Sequence, residues 1–130
     1  MTITVDGISY NVTIPVGGLR RSFQVLDGEN AGRTLSGKMF RDIIGTFYNY
    51  ELQLEPVKQQ LVQYDALYQV LSDPTKDSHT IILPYGQETL TFNAYVTSGQ
   101  DALSRISGGK NYWNGLTLQF IAMEPQRKKA

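Results

Sequence analysis

The sequence predicts a mainly β protein of the α+β kind: an antiparallel β-sandwich or small barrel of about seven strands, with one helix on its flank. Three observations carry this. Several segments alternate apolar and polar residues at period two, the signature of half-buried strands. Only one segment, about residues 57–71, repeats apolar residues at steps of three and four. The chain has 130 residues with 12 glycines and 5 prolines punctuating these runs, which suits one domain of short strands. Residues 1–125 are read as that domain and 126–130 as a disordered basic tail.

Val5-Asp6-Gly7-Ile8 places Asp-Gly between two β-prone runs, a hairpin signal. After it Ile8, Tyr10, Val12, Ile14 and Val16 alternate with polar residues, predicting a strand whose end is set by Pro15, which has no N–H for a ladder. Leu19 to Leu26 reads as another strand, with Leu19, Arg21, Phe23 and Val25 on one face. Asp27 to Gly37, with three glycines and little apolar content, reads as a long loop with a short strand at Arg33 to Leu35. Phe40 to Leu54 returns to β character and ends at Pro56. The helix follows, its stripe formed by Val57, Leu61, Tyr64, Leu67, Tyr68 and Leu71, and Ser72-Asp73-Pro74 stops it. His79–Leu83 and Thr89–Val96 form a hairpin around Pro84–Glu88. A second polar loop is expected from Thr97 to Asn111, before a last strand that points Leu116, Leu118, Phe120 and Ala122 inward.

Composition narrows the function. Twelve cations balance 12 anions, so no excess positive charge is available for nucleic acid, and no specific nucleic-acid partner is expected. The chain has no cysteine and one histidine, which excludes disulfides, thiolate zinc sites and cysteine nucleophiles. Apolar runs reach four residues at most, so no membrane partner is expected. The first residues carry no charged segment followed by an apolar run, so no secretory signal is expected.

Chemistry-bearing residues are few. His79 lies beside Ser78, too close in sequence for that pair to form a catalytic geometry, and is expected in a solvent-exposed or turn-bonding role. Asp27 with Glu29 sits in turn-forming sequence, and Glu51 with Glu55 on a solvated strand face. Asp27, Glu29 and Asn30 lack the spacing of a calcium loop. Gly17-Gly18-Leu19-Arg20-Arg21 precedes a strand and lacks the ending of a phosphate-binding loop. No catalytic, metal or cofactor site is expected. Arg20, Arg21, Arg33, Lys38 and Arg41 form the one local basic excess, and arginine favours protein interfaces. Tyr112 and Trp113 belong to a surplus of aromatics suited to contact surfaces. These seven residues are the candidate interface, with the segment Arg20–Arg41 as its principal part.

Three segments together carry a resemblance: Gly32-Arg-Thr-Leu-Ser-Gly-Lys-Met-Phe-Arg-Asp-Ile-Ile-Gly45, Phe47-Tyr-Asn-Tyr-Glu-Leu52 and Trp113-Asn-Gly-Leu-Thr-Leu-Gln-Phe-Ile-Ala-Met-Glu-Pro125. They resemble small structural proteins of bacteriophage and prophage tail modules in Gram-positive bacteria, and the element order resembles the tail-tube fold. The resemblance implies two packed antiparallel sheets with one helix, subunits joined edge to edge into rings, and a non-enzymatic role in the tail tube, distal tail or baseplate region. It implies a chain made in the bacterial cytoplasm, incorporated in the virion tail, with copies of itself and other tail proteins as partners. Tube subunits of that family stack through a long hairpin arm, and only the short Asp27–Gly37 loop offers one here. The alternative readings are a carbohydrate-binding β-sandwich, because such sandwiches also present surface Tyr and Trp, and then a small hydrolase.

Overall fold

The computed structural model describes residues 1–129. Strand β1 (Thr2–Val5) turns at Asp6 and Gly7, both at positive φ (52° and 82°), into β2 (Ile8–Thr13), with Val5 opposite Ile8. Two residues of positive φ match the right-handed twist of the flanking strands, so the Asp-Gly signal is realised as a tight hairpin. β2 stops at Thr13, short of the alternation that runs on to Val16; Tyr10 and Val12 are buried, but Ile8 and Val16 are exposed. Pro15 ends the pairing, and the chain bends. Gly18 is needed in that bend: a Cβ there would lie 2.9 Å from the Pro15 carbonyl oxygen and 3.0 Å from that of Gln53.

β3 (Leu19–Asp27), the short β4 (Gly32–Arg33) and β5 (Met39–Phe40), and the long β6 (Ile43–Pro56) form one continuous hairpin. β3 pairs with β6 from Leu19 opposite Leu52 to Asp27 opposite Ile43, while β4 and β5 pair at the tip. The expected Asp27–Gly37 loop is therefore the end of an extended arm. Its glycines and polar residues serve turns, as in the Thr34 to Lys38 reversal, where Thr34 N–H donates to the Lys38 carbonyl at 2.8 Å.

Helix α1 spans Leu61–Leu71 and starts after the residues expected to open it. Val57 to Gln60 form a preceding turn. No side chain caps the helix at Gln60; instead the Gln60 and Gln63 side chains accept hydrogen bonds from the Asn11 side-chain amide (2.9 Å) and backbone N–H (2.6 Å), which tie the helix to β2. Tyr64, Leu67 and Leu71 are buried, Leu61 is half-buried and Tyr68 is exposed, so the buried stripe is narrower than the apolar pattern.

β7 (His79–Tyr85) and β8 (Glu88–Tyr95) form the expected hairpin through Gly86 and Gln87. β9 (Gly99–Ser107) and β10 (Lys110–Ala122) form another, turning at Gly108 and Gly109, where a loop was expected. β9 is exposed along almost its whole length; a strand that buries neither face carries no alternation to read. β11 (Arg127–Lys128), within the segment read from sequence as a disordered tail, pairs with Thr46 and Gly45 of β6; residue 130 lies outside the described residues. The strand count exceeds seven for these reasons: the two expected loops and the tail all contribute strands.

The pairings close a circuit, β6–β2–β1–β7–β8–β10–β6, every step antiparallel. Inside it lie Ile3, Val5, Tyr10, Val12, Tyr50, Leu52 and other fully buried side chains, with Tyr64 and Leu67 of α1 joining the same core. All four inward residues expected of the last strand are buried. β6 and β10 share a ladder from Leu54 opposite Leu116 to Tyr50 opposite Phe120, and each extends beyond it through its N-terminal half. Because the pair is antiparallel, the β3–β6 arm and the β9–β10 arm leave the barrel in opposite directions.

Leu67 is wholly buried and Val62 is 78 % exposed on the same helix. Leu67→Ala is expected to lower stability by about 2–5 kcal/mol. Val62→Ala is expected to change it by about 0.5 kcal/mol at most. Urea denaturation of the two variants beside the wild type checks this assignment of the helix face.

Candidate functional site

Successive residues of a strand point to opposite faces, and β3 separates the first two candidate arginines accordingly. Arg20 lies on the outer polar face, 3.3 Å from Glu51, which also accepts a hydrogen bond from the Gln119 amide at 2.9 Å. This makes a polar row across β3, β6 and β10. Arg21 lies on the other face, its guanidinium 5.4 Å from the centre of the Tyr85 ring. Tyr85 in turn meets Tyr48 edge to face at 5.1 Å.

The other cations of the segment lie farther along the arm. Arg41 Nε donates to both carboxylate oxygens of Asp27, at 2.8 and 3.0 Å. This bond holds the Asp27 carboxyl below the usual carboxylate range. Arg33 donates to the Gly37 carbonyl at 3.0 Å, and Lys38 is exposed beside it at the tip. Tyr112 and Trp113 stand on the opposite arm, where the Arg105 guanidinium packs 4.4 Å from the centre of the Tyr112 ring. The candidate interface is thus divided between the two ends of the molecule, and Arg20–Arg41 does not form one patch.

The arm adds residues that the sequence pattern concealed. Phe23 is 72 % exposed, and Leu35, Phe40 and Ile44 are also exposed. In the sequence Leu19, Arg21, Phe23 and Val25 share one face of a single strand. In the fold that face runs off the edge of the barrel. β3 pairs only with β6 and β9 only with β10, so the sheet β3–β6–β10–β9 keeps two free edges among the described residues.

His79 is buried and not solvent-exposed, because the Asp-Gly turn of β1–β2 folds over the start of β7, and it takes the turn-bonding role that was the other expectation. Its Nδ1 lies 2.8 Å from Asp6 Oδ2, which Lys76 Nζ also approaches at 3.2 Å; Asp6 Oδ1 accepts the Thr80 N–H at 2.8 Å. Burial pushes the Asp6 carboxyl up, but these donors outweigh it and hold it at about 2. The arrangement fastens the first hairpin to β7. The carboxylates considered as acid–base pairs have other partners: Asp27 holds Arg41, and Glu51 holds Arg20 and Gln119.

A furrow runs between α1 and the β9–β10 arm. Trp113 borders three adjoining recesses in it, one of about 360 Å³ walled by Tyr64, Tyr68, Asp65, Gln69 and Asp101. The buried Tyr64 hydroxyl donates to Asp101 Oδ2 at 2.9 Å across the furrow. Burial and that carboxylate push the Tyr64 phenol up.

Since the Asp6 carboxyl is lowered from 3.8 to about 2 on folding, its contribution is fully present above pH 4 and lost as pH falls toward about 2. Asp6→Asn is expected to flatten the loss of stability over that acid range, as read by urea denaturation at stepped pH; an unchanged acid limb would assign it to other carboxylates. Compared with known proteins, the chain matches no family model and no curated protein, so its function rests on this geometry.

Proposed function

We propose that this chain is a non-enzymatic structural component of a bacteriophage or prophage tail, and that copies of it join edge to edge into a ring. The observation that carries this reading is the sheet β3–β6–β10–β9, whose two outer strands are nine residues long and unpaired on their outer sides among the described residues. Free edges of that length pair readily with another chain unless something blocks them. The two edges belong to different strands, so pairing β3 of one copy with β9 of the next is heterologous and closes a ring when the rotation permits.

Other features support the same reading. The outer face of this sheet carries Arg20, Glu51, Gln53, Thr117 and Gln119, a polar surface suited to a water-filled channel. The β3–β6 arm is much longer than the loop that sequence offered, and it presents Phe23, Phe40 and Ile44 to solvent. Exposed apolar side chains grouped on one projection favour contact with another protein. Within this reading, the arms leaving in opposite directions suit contacts above and below a ring.

Leu103 and Ile106 lie exposed on the β9 edge, where paired lysines oppose strand addition. Light scattering and negative-stain microscopy of the wild type are expected to give rings or stacked rings. Leu103→Lys with Ile106→Lys is expected to give monomers of 14.6 kDa with unchanged thermal stability. A wild type that stays monomeric at high concentration, or a variant that assembles equally well, would overturn the proposal.

A further inference from the structure

From the furrow between α1 and the β9–β10 arm we infer a second function, the binding of a neutral oligosaccharide along a track centred on Trp113. This goes beyond tail assembly and stands without it. Trp113 is 39 % exposed and is shared by three adjoining recesses of the furrow. Tyr68, 40 % exposed, adds a second aromatic surface in one of them. Aromatic rings of this kind offer an apolar face beside a polar tip, which matches the apolar C–H face and hydroxyl rim of a pyranose.

The walls supply the complementary hydrogen bonding. Asp65, Asp101 and Glu55 accept; Lys58, Arg105 and Lys110 donate; all six line the recesses around Trp113. Three anions against three cations leave no net charge in the furrow. An anionic polymer such as nucleic acid or polyphosphate needs a surplus of cations, whereas a polyol needs acceptors and donors in alternation. Several open recesses meeting at Trp113, rather than one enclosed pocket, suit a chain of sugar units better than a monosaccharide.

Trp113 is the only tryptophan of the chain, so its fluorescence reports on the furrow alone. The probes are cellohexaose, maltohexaose and chitohexaose, with inorganic polyphosphate as the anionic comparison. Titration of the wild type is expected to give a saturable change in emission with at least one hexasaccharide and none with polyphosphate. Asp65→Ala with Tyr68→Ser alters two exposed side chains and is expected to weaken that binding at least tenfold, with unchanged circular dichroism. Should that variant fail to fold, Gln69→Ala provides the same comparison at one exposed position of the wall. No saturable change with any hexasaccharide at millimolar concentration, equal affinity in the folded variant, or saturation by polyphosphate instead would each overturn the inference. Ring formation is not part of the readout, so failure to assemble leaves this result intact.

Discussion

The short ladder between β6 and β10 is the constraint on which the rest of the structure depends. Over it Leu54 faces Leu116 and Tyr50 faces Phe120, with Leu52 and Leu118 between, and all six side chains are buried. Burial of large apolar side chains is the main favourable term in folding, and here it is concentrated where the strand circuit closes. Without this seam the remaining pairings would form an open sheet, and the core would face water along one side. The same seam roots both arms, since each is an extension of a strand that the ladder holds.

β6 and β10 therefore each do two things along one length. Their C-terminal halves are barrel staves with alternating buried residues, and their N-terminal halves are ribbons with little burial. A two-stranded ribbon is marginally stable in water by itself, so the arms rely on their roots and on local fastenings. The Arg41–Asp27 pair and the paired residues of β11 brace the first arm. The second is braced by the Tyr64–Asp101 hydrogen bond to α1. Close approach is part of this bracing: a Cβ on Gly45 would stand 2.6 Å from the Arg127 carbonyl oxygen, so β11 reaches β6 only because that residue is glycine.

Polar side chains set the angle at which parts meet, where apolar burial alone would permit sliding. Gln60 and Gln63 hold α1 on β2 through Asn11, and Asp6 holds the first turn on β7 through His79 and Thr80. A satisfied buried polar group is costly to leave unpaired, so each such contact selects one register of packing. The furrow beside α1 is a product of this placement: the helix is close enough to the second arm for Tyr64 to bond Asp101, yet Trp113 remains partly open between them.

The sequence by itself determined whatever is half-buried or turn-encoded. Asp6-Gly7, the alternation from Leu116 to Ala122, the helix within Leu61–Leu71 and the predominance of β structure are all legible, because each is a local pattern enforced by one buried face or one dihedral requirement. What only the tertiary structure decided is what happens where no face is buried. β9 reads as loop because an exposed strand needs no alternation, and Phe23 reads only as sharing a face with Leu19, because the same alternation continues past the end of the barrel. The arms, the free edges and the furrow around Trp113 belong to this second class. They arise from pairing between residues tens of positions apart, and local pattern cannot report a contact whose partner lies elsewhere in the chain.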